Sequence, residues 1–131
     1  MWYNKTMKEP IRYMENAKEI LGKSPIEGNI YTDEKYVKSA CGVAYLGVLK
    51  AIEEHLSHRH GFSRKDMPRK VEEFRKALQK YVSVHNGKLL KEFDALYDEL
   101  HIAGYYRGNL HTTGAVKAIF TTARQFIAKL K

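Results

Sequence analysis

Apolar residues recur along this chain at steps of three and four, which is the spacing of one face of an α-helix. The first such face comprises Met7, Ile11, Met14, Ala17 and Leu21. No segment of the sequence sustains the two-residue alternation that marks a half-buried β-strand. The periodicity therefore predicts an all-α fold.

Helix-breaking residues divide the pattern into successive helices. Thr6 and Glu9 fit a capping box at the start of the first helix, and residues 22–32 contain Pro, Gly and Asn and are predicted to form a loop. A second helix begins near Thr32 and ends at Gly61, because glycine readily adopts the left-handed conformation that ends helices.

Three further helices complete the prediction. The third begins near Asp66, and Asn86-Gly87 forms the turn after it. The fourth spans residues 88–105, and the fifth begins after Thr112 or Thr113. Their predicted buried faces comprise Val71, Phe74, Leu78, Tyr81, Leu89, Phe93, Leu96, Tyr97, Leu100, Val116, Ile119, Phe120, Ala123, Phe126, Ile127 and Leu130. We expect an up-and-down helical bundle of four main helices and a fifth.

The second helix carries two stripes of side chains at helical spacing. The larger stripe comprises Cys41, Tyr45, Val48, Ile52 and Leu56, and it is predicted to lie in the core. The smaller stripe comprises Ala40, Ala44, Gly47 and Ala51. Small residues let another helix approach closely, either within the bundle or across a dimer.

Composition limits the class of protein. The chain has 131 residues, 44% of them apolar and 29% charged, which predicts one soluble globular domain over residues 1–131. A single cysteine, Cys41, excludes an internal disulfide and a cysteine-rich zinc site. The longest stretch without charge or histidine is Ser39–Leu49, far short of the roughly 20 residues of a membrane span. We therefore expect a cytoplasmic protein with no membrane contact.

The net charge of +8 favours an anionic partner such as RNA, DNA or an acidic protein surface. Residues 1–62 carry a net charge of +1 and residues 63–106 a net charge of +2. Residues 107–131 carry five cations and no acid, for a net charge of +5. This excess fits either a solvated helix face or a binding surface, on which we expect Lys117 and Arg124 to contact nucleic acid.

A polar cluster precedes that segment, between the fourth and fifth helices. Arg107 has the chemistry to stabilise charge on phosphorus oxygens, and the His111 imidazole can move a proton. Asn109 can orient a phosphate, and Tyr105 and Tyr106 can stack on bases. We therefore take Arg107, Asn109 and His111 as candidate catalytic residues. The same sequence also suits an ordinary interhelical turn.

A second polar cluster lies at the end of the second helix. His55 and His58 are three residues apart, and Glu54 can join His58 in a metal-binding pair. A third protein ligand is not evident from the local spacing, and a histidine-rich helix end that includes His60, which the helix dipole favours, is the better interpretation. The sequence thus predicts no resident metal ion and no cofactor.

Three segments resemble the HEPN superfamily of small bacterial and archaeal helical bundles, which often occur beside nucleotidyltransferases. Residues 38–52, with Ala-Tyr followed by Leu-Gly, are similar to the family's small-residue helix, and residues 100–107 and 115–130 are similar to its later helices. The resemblance implies a bundle that commonly forms homodimers. It also implies RNA or a protein partner such as a nucleotidyltransferase.

Many HEPN members are metal-independent ribonucleases with an arginine, then a polar residue, and a histidine four to six residues beyond. By this resemblance Arg107 and His111 take those places. Only three residues separate them, however, and Gly108 stands where a polar residue is usual, with Asn109 displaced by one. The departures favour a non-catalytic RNA- or protein-binding domain. The alternatives are a metal-independent endoribonuclease and a structural or small-ligand-binding bundle.

Overall fold

A computed structural model describes residues 7–82 and 87–131, and within them the chain is an all-α bundle, as predicted. The α-helices are α1 (Lys8–Leu21), α2 (Glu34–His60), α3 (Val71–Ala77), α4 (Lys88–Leu96) and α5 (Thr113–Lys129). α3 and α4 continue as π-helical segments, Leu78–Val82 and Tyr97–Tyr106. A 3₁₀ turn spans Arg64–Asp66. The capping residue Thr6 and the turn residue Asn86 lie outside the described residues.

α2 is the central element of the bundle. The Asp33 side chain accepts a hydrogen bond from the Lys35 amide at 3.2 Å, which satisfies one of the free N–H groups at the helix start. Gly61, at φ 68°, ends the helix in the left-handed conformation. The 27 residues between them extend about 40 Å at 1.5 Å per residue. Both predicted ends of this helix are therefore confirmed to within two residues.

The two stripes of α2 pack on different helices. The whole larger stripe is buried, as predicted, and so is the predicted face of α5 from Val116 to Leu130. The small stripe packs against α1, where a Cβ added at Gly47 would lie 3.0 Å from the Tyr13 Cβ and 3.2 Å from the Pro10 carbonyl oxygen. This close helix contact within the chain is one of the two uses expected for small residues. The homodimer stays a prediction.

Some sequence expectations were wrong. Ile11 is 42% exposed, because the α1 face turns it into a groove beside α5 rather than into the core. Residues 22–32 form not only a loop but a two-stranded antiparallel ribbon, β1 (Ile26–Glu27) and β2 (Ile30–Tyr31). Gly28, at φ 63°, supplies the left-handed residue of its turn. Two-residue strands are too short to show a periodic signal.

The other departures concern α3 and α4. Val71, Tyr81, Leu89 and Tyr97, expected in the core, are only half-buried and pack against its edge.

No helix within residues 7–82 and 87–131 is both long and apolar enough to cross a membrane.

Candidate functional site

The polar cluster begins on the helix that precedes the turn, because that helix ends at Tyr106, one residue beyond its predicted end at residue 105. Tyr105 and Tyr106 occupy the last turn of the π-helical extension of α4, and Arg107 caps it. The Arg107 amide donates to the Ile102 carbonyl oxygen at 2.8 Å, a five-residue step typical of a π-helix. Gly108 then adopts φ 65° and reverses the chain. Both tyrosines are therefore presented from a hydrogen-bonded backbone.

The short ribbon fixes the other side of the cluster. The Tyr31 amide donates to the His111 carbonyl oxygen at 2.9 Å, and the Thr113 amide donates to the Asn29 carbonyl oxygen at 2.9 Å. The Thr112 side chain accepts from the Ala115 amide at 3.2 Å and caps α5. The segment from 107 to 112 is thus held at both ends by backbone hydrogen bonds.

Three glycines bring this segment close to the start of α2. A Cβ added at Gly104 would lie 2.6 Å from the Cys41 Sγ, and one at Gly42 would lie 2.8 Å from the Tyr105 ring. One at Gly108 would lie 2.7 Å from the Glu34 carboxylate. These contacts explain the glycines of the cluster by packing and turn geometry. Burial also raises the pKa of Cys41 to about 12, so its thiol stays protonated at neutral pH.

The three candidate catalytic side chains are exposed and unsupported. Arg107, Asn109 and His111 make no side-chain hydrogen bond or salt bridge with any residue in 7–82 or 87–131. A general base ordinarily has a second group that orients its imidazole. Within the described residues His111 has none. The fold therefore places these side chains on one exposed turn without assembling them into a hydrogen-bonded constellation.

An aromatic stack that the sequence analysis missed lies beside Tyr105. The His101 ring stacks on Tyr45 at a centroid distance of 4.8 Å and on Tyr97 at 5.4 Å. Tyr105 continues the stack 5.9 Å from His101, with the ring planes 17° apart. The spacing Tyr97, His101, Tyr105 was the available signal. Tyr105 is 47% exposed and Tyr106 is 72% exposed, so the stack ends in accessible rings.

Lys117 and Arg124 lie on a different surface from the tyrosines. They line a groove of about 970 Å³ between α1, the ribbon and α5, together with Ile11 and the acidic residue Glu15. Neither cation forms a salt bridge among the described residues, whereas Lys129 of the same helix is paired with a glutamate at 2.7 Å. Neither Tyr105 nor Tyr106 lines this groove. The candidate nucleic-acid contacts thus fall into two groups.

The histidine cluster at the end of α2 performs a packing role. The His55 Nδ1 donates to the Leu130 carbonyl oxygen at 2.8 Å, and the Arg59 guanidinium donates to the Lys131 carbonyl oxygen at 2.7 Å. Burial lowers the pKa of His55. Among the described residues no group of three or more His, Cys, Asp or Glu side chains is placed to hold a metal ion. His55 and Arg59 instead fasten the end of α5 to α2.

Comparison with known proteins gives a family without an assigned activity. Residues 5–131 match the model described as "Domain of unknown function (DUF5618)". No curated protein matches significantly. A solved structure described as a protein of unknown function from Dyadobacter fermentans is similar, with 32% sequence identity and a TM-score of 0.77. The match covers 97% of this chain and 94% of that chain. The chain belongs to the DUF5618 family.

Proposed function

We propose that this chain is a HEPN-like RNA-binding domain that does not itself cleave RNA. The observation that carries the proposal is the exposure of three consecutive residues, Tyr105, Tyr106 and Arg107, at the end of a hydrogen-bonded helix. Aromatic rings stack on unpaired bases, and a guanidinium pairs with phosphate. A fixed backbone reduces the entropy lost when such side chains bind.

The arrangement supports binding better than catalysis. Cleavage at a ribose 2′-hydroxyl needs a base held within hydrogen-bonding reach of that hydroxyl and oriented there. His111 is exposed and has no orienting partner among the described residues, and its spacing from Arg107 is shorter than the HEPN pattern. We therefore assign Arg107 and Asn109 to phosphate contact, and we keep the endoribonuclease as the alternative function.

Binding is tested by fluorescence anisotropy with a labelled single-stranded RNA pool over a series of salt concentrations. Tyr106→Ala removes an exposed ring, and Arg107→Gln removes an exposed cation. We expect each to weaken binding roughly tenfold, because a stacked base is worth about 1–3 kcal/mol and a charge-assisted phosphate contact a similar amount.

Lys91→Gln is the matched control for Arg107→Gln. Lys91 is exposed, it has no salt bridge within the described residues, and it lies on α4 at the end opposite Tyr105. It should leave the affinity close to that of the wild type. Equal losses in both variants would show nonspecific charge attraction, and unchanged affinity in Tyr106→Ala and Arg107→Gln would overturn the proposed surface.

The alternative function is tested by incubating the same RNA pool with the protein in EDTA. The proposal predicts no cleavage by the wild type or by His111→Ala. Cleavage that is lost in His111→Ala would instead establish a metal-independent ribonuclease, with Arg107 as the group that stabilises charge on the phosphorus oxygens.

The resemblance to HEPN proteins also leads us to propose a homodimer. The small stripe of α2 is occupied by α1, so this proposal depends on the resemblance and on no helix face that the structure leaves open. Light scattering after size exclusion decides it. A mass of twice 15.2 kDa is expected, and 15.2 kDa at all concentrations would contradict it.

A further inference from the structure

A second region of the chain is as basic as its last segment. Residues 59–80 contain eight Lys and Arg residues and three Asp and Glu residues, an excess of five cations. Residues 107–131 have the same excess, five cations and no acid. Residues 59–80 form the end of α2, the 3₁₀ turn, α3 and the start of its π-helical extension. The sequence analysis did not single them out as a nucleic-acid-binding site.

The fold gathers much of this charge around one groove. The groove has a volume of about 730 Å³ and lies between the end of α2, residues 61–70 and α3. Its cations are Lys65, Arg69, Lys76 and Lys80. None of the four forms a salt bridge among the described residues, unlike Arg75 of the same helix, which is paired with Asp94 at 2.7 Å.

The two carboxylates that line the groove are engaged by the backbone. Asp66 accepts from the Ser63 amide at 2.9 Å and from its hydroxyl at 2.8 Å. Glu73 accepts from the Arg69 amide at 2.7 Å and, at 3.3 Å, from the amide of the next residue. These bonds lower the pKa of both carboxyl groups, with a smaller contribution to Glu73 from the charges of Lys70 and Arg69. Both carboxylates cap helical turns and keep their negative charge, and neither forms a salt bridge with the four groove cations among the described residues.

Aromatic rings form one wall of the groove. Tyr81 lies 5.2 Å from the His60 ring and 5.0 Å from the Phe62 ring, measured between centroids. The Lys80 ammonium lies 5.3 Å from the centre of the Tyr81 ring. His60 is exposed, and Tyr81 and Phe62 are half-buried. Cations and rings therefore share one open groove.

We propose that this groove binds the sugar–phosphate backbone of single-stranded RNA, with Lys65, Arg69 and Lys76 at the phosphates. The four cations outnumber the two carboxylates of the groove, so the groove keeps a net positive charge, and a polyanion that binds there gains by releasing its own counterions. The His60–Tyr81 wall favours a single strand over a duplex, because only unpaired bases can stack on protein rings. The inference adds a second contact surface and shares with the proposed function only the choice of ligand.

The test compares two double variants that remove the same charge. Lys65→Gln with Lys76→Gln alters the groove, and Lys23→Gln with Lys91→Gln alters two exposed lysines elsewhere that form no salt bridge among the described residues. Affinity for a labelled single-stranded RNA is measured by anisotropy against salt concentration. The groove variant should bind roughly tenfold more weakly and lose about 1.4 from the salt slope, since each single-strand phosphate contact contributes about 0.7. Circular dichroism confirms that both variants fold.

The outcomes separate this inference from the proposed function. Groove and control variants that bind equally would overturn the groove and leave the Tyr106 and Arg107 surface standing. Loss in the groove variant with normal binding by both Tyr106→Ala and Arg107→Gln would establish the groove and overturn the first surface. The wild type could instead bind duplex RNA or phosphatidylserine vesicles more strongly than single-stranded RNA. If the groove variant lost that stronger binding, the choice of ligand would be overturned. Phosphate contacts are strongest at low salt, for example at roughly 50 mM. A wild type that binds no RNA there would overturn both the groove and the Tyr106 and Arg107 surface.

Discussion

The two ends of α2 present their charged residues in different ways. At its start, the turn from Gly104 to His111 packs on α2 through glycine contacts and exposes single polar side chains. At its finish, residues 59–80 leave lysines around an open groove, and the nearby carboxylates bind backbone amides. The first end attracts attention in the sequence because it resembles a catalytic motif. The second has no motif, yet it concentrates more charge in one place.

Charge counts along the sequence locate a basic surface only when the fold shows which residues lie together. Residues 63–80 carry seven cations and three acids, whereas residues 81–106 carry two cations and four acids. Counted together they give a modest +2, which hides the basic groove. The groove becomes visible only when the fold places Lys65, Arg69, Lys76 and Lys80 around one cavity.

We expect the largest loss of stability from a substitution in the tight packing at the start of α2. Gly104→Ala should lower the free energy of unfolding by about 2–3 kcal/mol, because the new Cβ would meet the Cys41 Sγ at 2.6 Å. Urea unfolding measures the change. Gly114→Ala is the matched control, since nothing lies within 4 Å of a Cβ there, and it should be neutral or stabilising by up to about 1 kcal/mol. Equal effects would show that the close contact of α2 with the extension of α4 is unimportant.

The next effect concerns the finish of α2. His55→Ala removes the hydrogen bond to the Leu130 carbonyl oxygen and should cost about 1 kcal/mol of unfolding free energy. Urea unfolding at pH 7.5 measures this cost. His58→Ala, which removes an exposed histidine on the same turn of helix, is the control and should change little. A loss as large in His58→Ala would contradict the fastening role of His55.

A pH dependence should accompany that contact. Burial lowers the pKa of His55 below its ordinary value of 6.5, so the unfolded chain takes up this proton more readily than the folded one. The contribution of neutral His55 to the unfolding free energy is fully present above about pH 6.5. It is lost as the pH falls through the lowered pKa of His55 in the folded chain. The unfolding free energy should thus fall less between pH 7.5 and pH 5 in His55→Ala than in the wild type. Parallel pH profiles would refute this assignment.

The smallest expected effect is at the candidate catalytic histidine. His111→Ala should change the unfolding free energy by less than about 0.5 kcal/mol, because the side chain is exposed and has no partner among the described residues. Thermal melting followed by circular dichroism is sufficient to measure it. A large loss of stability would make His111 a structural residue and remove it from the site.

Periodicity was a sufficient guide to the long regular elements. The ends of α2 follow from Asp33 and Gly61, and the buried face of α5 follows from its spacing, since caps and apolar stripes are local properties of a sequence. Ile11 was misplaced because a helix face that points at a neighbouring helix differs little in sequence from one that points into a groove between helices.

The candidate site was less predictable, because its geometry depends on distant segments. The hydrogen bonds that join Asn29 to Thr113 and Tyr31 to His111 link parts of the chain about eighty residues apart. The separation of Lys117 from Tyr106 depends on which helix each neighbours in the bundle. The stack of His101 on Tyr45 arises where α2 meets the extension of α4. None of these relations leaves a periodic trace.

The most direct test of the account is a titration of the ¹⁵N-labelled chain with single-stranded RNA, followed by amide chemical shifts. The largest chemical-shift changes are predicted beside the two ends of α2, in residues 60–81 and 105–111. Raising the salt concentration is predicted to reverse both sets together. Changes confined to other surfaces, such as the groove between α1 and α5, with both ends of α2 unaffected, would contradict the account.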